Sequence, residues 1–586
     1  MKEIRSQYFE DEFKPEQNGI DIIDLEEKTE ELPVIKEDDI FEYMAENFEE
    51  DKLIDDIPEE APIPDEPDDT PEFSNSLDAM QWAIENNKVY GKTKKGRNLY
   101  KCVPDDTRFP VFLIPYTLKL GFSKKIYNKY VIFKFSNWDS KHPLGTLVNV
   151  LGDVSILDHF YEYQLYCKDL FISIQNFTKK TRSKLKSQSE DYYIDKIMTE
   201  YDIEDRRELD IISIDTSDSK DFDDAFGLQD LNDDRMLLSI YIANVSLWIE
   251  ILDLWEYFSE RISTIYLPNG KKPMLPNILS DSLCSLQENK TRFAFTLDIH
   301  ICKKTFEIIE INYVNSSIIV KKNLRYETSE MFENNIFKKS IELVKKLNKK
   351  RCYVEQINSG HDLVAYLMIL MNYQTAKKFV DLKTGIFRAV KTDKTYIVPK
   401  NIPENVSKFL RTWNSFGGSY VKFSNLESHD ILDFDAYIHI TSPIRRLVDL
   451  LNIIEFQDKT KLFSYSEKSL KFYEKWMSDE SFQYINTTMR SIRKVQNDCS
   501  LLKMCSTDKM IMNELHDGFI FDKTQKEDLL FKYMVYIPKL KMVNRFMTRH
   551  DIQNNSKHEF RLFTFKDEDK LKEKIRIELI QDIDNL

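Results

Sequence analysis

Apolar positions change period along this chain, and each change marks a unit. Between about residue 88 and residue 170 they come in short β-rich runs, Val111–Pro115, Lys129–Phe135 and Gly145–Leu151. Turn residues separate the runs, and aromatic and basic side chains are interleaved, which predicts a small β-barrel. From 205 to 510 strands come first and longer helical periods follow. Leu363–Val380 reads as an amphipathic helix and Asp479–Met504 as another, carrying Arg490, Arg493 and Lys494. Residues 515–586 return to β-like runs, Gly518–Phe521, Tyr533–Ile537, Phe560–Phe565 and Ile575–Ile580, and predict a terminal barrel. Residues 1–75 carry no such period, and the proline-studded acidic run Pro58–Pro71 builds no packed element. The predicted fold class is multidomain α+β, a central mixed α/β unit flanked by β-barrels behind a disordered acidic tail. The expected boundaries are 1–75, 76–175, 205–510 and 515–586, with no internal repeat.

Composition changes one part of this picture. The chain has 586 residues, 42% hydrophobic and 12% aromatic, enough core for about three or four domains. A formal net charge of −16 argues against a nucleic-acid partner until the charge is placed. Residues 1–75 hold 28 acids and 6 bases, and the remainder holds 71 acids and 77 bases. The body is mildly basic; the acidity belongs to the tail. Clusters such as Ile40–Tyr43 suit the tail to docking a protein partner.

The seven cysteines form no Cys-x-x-Cys pair, as expected of buried thiols in a reducing compartment. Met1–Glu10 has no apolar core and predicts no signal peptide. The apolar run Leu363–Met371 is too short to cross a bilayer, and Met236–Trp255 is broken by Ser239, Asn244, Ser246, Glu250 and Asp253. A cytoplasmic or otherwise intracellular protein without a membrane partner is expected.

Candidate chemistry sits in two segments. Ile211–Ala225 ends an apolar strand in a turn carrying Asp215, Asp221, Asp223 and Asp224, with Asp218 nearby. Like charges that close stay ionised only with cations among them. Oxygen-only ligands favour Mg2+ or Mn2+. A calcium loop fails on spacing, because Lys220 stands where glycine is needed and Phe226 where a bidentate glutamate is needed. A solvated acidic turn is the plain alternative.

The second segment is Tyr437–Leu451. Ser442 as N-cap and Pro443 at the first helical position predict a helix start, with Ile444, Leu447, Leu451 and Ile454 as its buried stripe. Arg445 and Arg446 would then lie in the first turn, where the helix dipole disfavours cations unless an anion such as phosphate is bound. An Arg445–Asp449 ion pair at i,i+4 spacing is the alternative. Together, metal carboxylates and phosphate-holding arginine describe a nuclease or another phosphoryl-transfer enzyme.

Ile214–Ala225 and His439–Arg446 resemble the two signatures of the RNB family, which comprises ribonuclease II, ribonuclease R and the exosome catalytic subunit. Tyr241–Ser246, Tyr266–Pro268, Pro273–Pro276, Cys284–Leu286, Leu367–Asn372 and Gly385–Arg388 match in order, so the resemblance spans roughly 205–505. Lys124–Val154, with Asn137-Trp138 and His142–Gly145, resembles the family's cold-shock barrel, and the terminal region its closing OB-type RNA-binding barrel. The resemblance implies a processive, Mg2+-dependent (or Mn2+-dependent) 3′→5′ exoribonuclease. It would act as a monomer on single-stranded RNA and release nucleoside 5′-monophosphates. It implies Asp215, Asp221, Asp223 and Asp224 as the metal set, with Asp223 needed for catalysis and Arg445 steadying the scissile phosphate. Tyr266 would stack on the 3′-terminal base, Tyr326 would help fix the smallest product, and Arg446 and His439 would bind RNA.

The chain departs from the family at Tyr241 and Asn244, which replace a histidine and an aspartate. Ala365 and Tyr366 replace a glutamate pair, and Leu447, Ile453 and Ile454 an aromatic and a His-Arg pair. A catalytically weak RNA-binding or scaffold protein of the same fold is therefore the second expectation, and a DNA exonuclease the third.

Overall fold

The computed structural model of the chain describes residues 80–104, 109–117, 128–217, 219–391, 402–413, 418–525, 530–567 and 572–580. The tail assigned to 1–75 and Asp218 lie outside them. Strands β1 (Met80–Lys92), β2 (Asn98–Pro104), β3 (Phe112–Pro115), β4 (Lys129–Asn137) and β5 (Leu144–Asp153) close into a barrel in the order β1-β2-β3-β5-β4. Alternate residues point inward: Tyr100 and Cys102, Phe112 and Ile114, and Val131 and Phe133 form its core. Periodicity predicted β3 to β5 and missed β1 and β2. In β1 the polar run Glu85–Lys88 hides the alternation, and the ladder with β2 shifts register between Glu85 and Val89. The helix Leu157–Cys167 follows, and Tyr163 stacks on Tyr130 at 4.2 Å.

The central sheet comprises β6 (Glu204–Asp205), β7 (Ile212–Asp215), β8 (Asp224–Asp230), β9 (Arg235–Ala243), β12 (Thr291–Cys302), β13 (Ile308–Ile319) and β14 (Lys322–Arg325). Its order is β14-β7-β8-β9-β12-β13-β6, while β10 (Ile265–Leu267) and β11 (Gly270–Lys272) form a separate hairpin. Both faces of β9 are covered, and its side chains divide by parity. Leu238, Ile240 and Ile242 join one apolar cluster with Phe295, Leu297 and Ile299. Tyr241 and Ala243 join the other with Phe293 and Ala294. This explains the long apolar run from Met236. It is a doubly covered strand followed by the helix Val245–Ile251, and no described helix is long and apolar enough to cross a membrane.

The predicted helices form and extend to Gly360–Leu382 and Asp479–Thr507. Ser359 and Asp362 make a capping box, which sets the first boundary. After the short pair β15 (Ile386–Ala389) and β16 (Ser419–Lys422), the chain ends in β17 (Leu515–Gln525), β18 (Phe531–Ile537), β19 (Met542–Thr548), β20 (Lys557–Asp567) and β21 (Lys572–Leu579). The expected terminal barrel is an antiparallel sheet in the order β19-β18-β17-β20-β21. Its outer strands meet where the Asn544 amide donates to the Ile575 carbonyl at 3.5 Å, without a ladder between them.

The helix Glu404–Trp413 docks on this sheet. Phe409 lies flat on Tyr536, with ring centroids 3.7 Å apart and planes 7° apart, and Trp413 meets Phe521 edge-on at 5.0 Å. Phe409→Ala removes the stacked ring and is expected to cost about 3–5 kcal/mol. Native-state hydrogen exchange of β17 and β18 checks this; unchanged protection there would show that the sheet does not depend on the helix.

Candidate active site

Two antiparallel neighbours build the acidic end of the sheet. β7 stops at Asp215 and β8 begins at Asp224, so the intervening turn brings both strand ends to one place. Ser285 fastens the turn: its hydroxyl donates to the Lys220 carbonyl at 2.8 Å and accepts the Phe222 N–H at 3.0 Å. The Leu286 N–H donates to the Phe222 carbonyl at 3.0 Å, and the Ala243 N–H to the Asp223 carbonyl at 2.8 Å. The Cys284-Ser-Leu286 motif thus has a plain structural task.

Each aspartate then meets a different environment. Asp215 accepts the Ser213 hydroxyl at 2.9 Å, which itself accepts from Asn323 at 2.8 Å. Burial, and then the neighbouring Asp224, hold the Asp215 carboxyl well above the usual range. Asp224 is pushed up to about 6 by burial, with the Arg445 guanidinium pulling the other way. Asp223 is buried and pushed up to about 8, opposed by Arg445 and by the Ile444 N–H. Asp221 accepts Lys271 Nζ at 2.8 Å, and the same ammonium reaches Asp281 at 3.0 Å.

The arginine segment meets this turn directly. Ile444 N–H donates to Asp223 Oδ1 at 2.9 Å, and Arg445 Nε lies 3.3 Å from Asp223 Oδ2. Arg445 Nη2 also donates to Ser442 Oγ at 2.9 Å. Two expectations need correction. The helix begins at Leu447, with Arg446 as its N-cap residue, because Arg446 is extended and bridges Ser263 in a β-fashion. Ser442 instead lies in the loop, giving its N–H to Asp449 at 2.7 Å. Asp449 pairs with Arg446 at 2.9 Å, so the i,i+4 pair with Arg445 does not form.

Arg446 and His439 are not placed for RNA. Arg446 is buried against Asp449, and buried His439 shares a hydrogen bond with the Tyr420 hydroxyl at 2.8 Å through Nδ1. Both hold the loop. The two tyrosines are better placed. Tyr326 follows β14, and its N–H donates to the Asp215 carbonyl at 3.1 Å. Its ring stacks on His361 at 3.5 Å. Tyr266 on the β10–β11 hairpin is 42% exposed, an open aromatic face beside the site. Lys271, Asp281 and Ser285 were missed by the sequence reading. The only signal was their position within the ordered motifs between Tyr266 and Leu286.

The donor set is all oxygen, and buried acids held above their usual range suit a hard divalent cation. Among the described residues, however, no group of three Asp, Glu, His or Cys side chains is arranged to hold an ion. Lys271 covers Asp221, and Arg445 with the Ile444 N–H covers Asp223, which leaves Asp215 and Asp224 as the fitting pair.

The description "RNB domain" matches residues 203–349, and "Dis3-like cold-shock domain 2 (CSD2)" matches residues 99–159. Residues 203–349 thus carry an RNB domain. Ribonuclease R of Mycoplasmopsis pulmonis is 32% identical over 198 residues, which are 33% of this chain and 25% of that relative. Exoribonuclease 2 of Salmonella typhimurium is 30% identical over 210 residues, 35% of this chain and 31% of that relative. The chain therefore spans about a quarter to a third of the length of the curated relatives it matches. In fold it is similar to Mycoplasma genitalium RNase R in complex with ribose methylated single-stranded RNA. The TM-score is 0.65 at 16% identity, covering 86% of this chain and 90% of that one. It is also similar to yeast Ssd1, a pseudonuclease, with a TM-score of 0.57 at 14% identity, covering 81% and 65%.

The departures from the family pattern lie in the chain's interior. Asn244 donates to Asn315 at 2.9 Å and accepts from Ser246 at 2.7 Å, and Gln457 donates to Asn315 at 2.8 Å. Tyr465 closes this uncharged network by donating to Gln457 at 2.6 Å. Ile453 and Ile454 are buried side chains of the same helix as Gln457. Neutral partners are what a buried asparagine requires.

Asp223 and Asp224 ordinarily titrate near 3.8 and are held above that in the fold. The folded chain therefore binds more protons than the unfolded one between about pH 4 and pH 8, and stability falls as pH rises through that window. In chelator, Tm is expected to drop from about pH 5 to about pH 8, and Asp223→Asn to flatten the drop. A wild-type Tm that climbs across this range would contradict the burial.

Proposed function

We propose that this chain is a divalent-metal-dependent 3′→5′ exoribonuclease that degrades single-stranded RNA processively to nucleoside 5′-monophosphates. The observation that carries the reading is the contact of Asp223 with Arg445 and the Ile444 N–H, which joins the acidic turn to the arginine loop. Asp215 and Asp224 would hold Mg2+ or Mn2+, which supplies positive charge opposite the scissile phosphate and favours attack by water at neutral pH. Asp223 orients Arg445, whose guanidinium neutralises the phosphoryl oxygens as negative charge builds on them. Tyr266 offers its exposed face to the 3′-terminal base, worth roughly 1–3 kcal/mol whatever the base. Tyr326, beside Asp215 and backed by His361, would bound the space for the last nucleotide. Water adds to phosphorus, the 3′ oxygen of the preceding nucleotide departs with a proton, and a 5′-monophosphate leaves.

A reducing, cytoplasmic setting fits seven cysteines that are all unpaired. The named relatives, a ribonuclease R and an exoribonuclease, support the reaction class over the segment they share with this chain. One observation favours the second reading, an RNA-binding protein of the same fold: among the described residues no group of three acids is arranged to hold an ion.

End-labelled RNA with a single-stranded 3′ tail decides between them. Mononucleotide release with Mg2+, blocked by chelator, is expected. Asp223→Asn should abolish release while RNA binding persists, and Arg445→Ala should slow it by about 10²–10³-fold. Chelator-insensitive binding without any product would sink the nuclease reading.

A further inference from the structure

The β10–β11 hairpin carries a cation that the family signatures do not draw attention to. Its turn, Leu267-Pro-Asn-Gly270, depends on Gly270 at φ +137°, which places Tyr266 and Lys271 directly opposite each other in the ladder. Lys271 reaches into the acidic turn. Its Nζ lies 2.8 Å from Asp221 Oδ1 and 3.0 Å from Asp281 Oδ1. Asp281 is itself fixed, accepting the Ser280 hydroxyl at 2.6 Å on its carboxylate and the Gln287 amide at 2.7 Å on its carbonyl. The ammonium is partly buried, with 23% of the side chain exposed.

A divalent ion bound to Asp221 would have to stand roughly 2.1 Å from the carboxylate oxygen, in the space that Nζ now closes. Two cations do not share that space, since their repulsion opposes whatever the carboxylate contributes. Asp215 and Asp224 present the opposite case. No lysine pairs with either among the described ion pairs, and Asp215 takes its hydrogen bond from the neutral Ser213 hydroxyl. Lys271 thus occupies Asp221 and leaves the Asp215–Asp224 pair without an ammonium.

We infer that Lys271 stands in place of a divalent cation at Asp221, so that the chain takes up a single ion, at Asp215 and Asp224. This rests on the reading that those acids hold metal. It also makes the hairpin a strap: the residue opposite the base-stacking Tyr266 is the one that grips the acidic turn. The RNA end and the acid cluster are therefore positioned by one element.

Counting bound Mn2+ by electron paramagnetic resonance, on the full chain without RNA, tests the inference. The wild type is expected to bind one ion, Lys271→Arg one, and Lys271→Met two, because removing the ammonium opens Asp221. Asp221→Asn should still bind one, which keeps the test open should Lys271→Met fail to fold. The same count in Lys271→Met as in wild type, or a lower count in Asp221→Asn, would overturn it. A wild type that binds one ion yet releases no nucleotide defeats the nuclease reading and leaves this inference standing.

Discussion

Asp223 accepts the Ile444 N–H and faces the Arg445 guanidinium, and the geometry of the whole site depends on that carboxylate. A second acid works from the other side of the same loop: Asp449 takes the Ser442 N–H and pairs with Arg446. The loop is thus pinned at both ends by buried carboxylates, with Arg445 left at the acidic turn. Backbone bonds carry the constraint further. Thr264 N–H donates to the Arg445 carbonyl at 2.9 Å and Leu447 N–H to the Ile262 carbonyl at 2.9 Å. The strand so held runs straight into β10 and Tyr266. Acidic turn, arginine loop and hairpin are one hydrogen-bonded assembly.

Charge within this assembly is distributed unevenly, and burial makes the unevenness matter. In a low-dielectric interior an unpaired carboxylate is costly, while a paired one can remain ionised. Lys271 pairs with Asp221 and Arg445 lies against Asp223 without cancelling the effect of its burial, whereas Asp215 has a hydroxyl donor and a like-charged neighbour. The demand for an added cation is therefore local. The same economy of charge appears behind the sheet, where Asn244, Asn315, Ser246, Gln457 and Tyr465 satisfy one another without any ionised group. A buried asparagine whose hydrogen bonds are met by neutral partners needs no ionised group beside it.

The reading of periodicity succeeded where one face of an element was buried and failed where polar residues interrupted it. β3 alternates and β4 is a compact apolar run; β1 is broken by Glu85–Lys88, and β19 by Asn544 and Arg545. The helix start misplaced at Ser442 followed from cap chemistry that was locally sound. Ser442 and Pro443 do suit a helix N-terminus, but Asp449 claims the Ser442 N–H and the chain stays extended at Arg446 to pair with Ser263. Arg446 and His439 matched a signature by position, yet burial turned both inward.

What the amino-acid order determined was the inventory: five aspartates within ten residues, two adjacent arginines, a tyrosine within an ordered motif, and the apolar periods that place them at element ends. Only the tertiary structure decided which cation each acid would meet. Lys271 and Arg445 approach the turn from distant parts of the chain, and electrostatic pairing depends on separation through space, which sequence spacing does not encode.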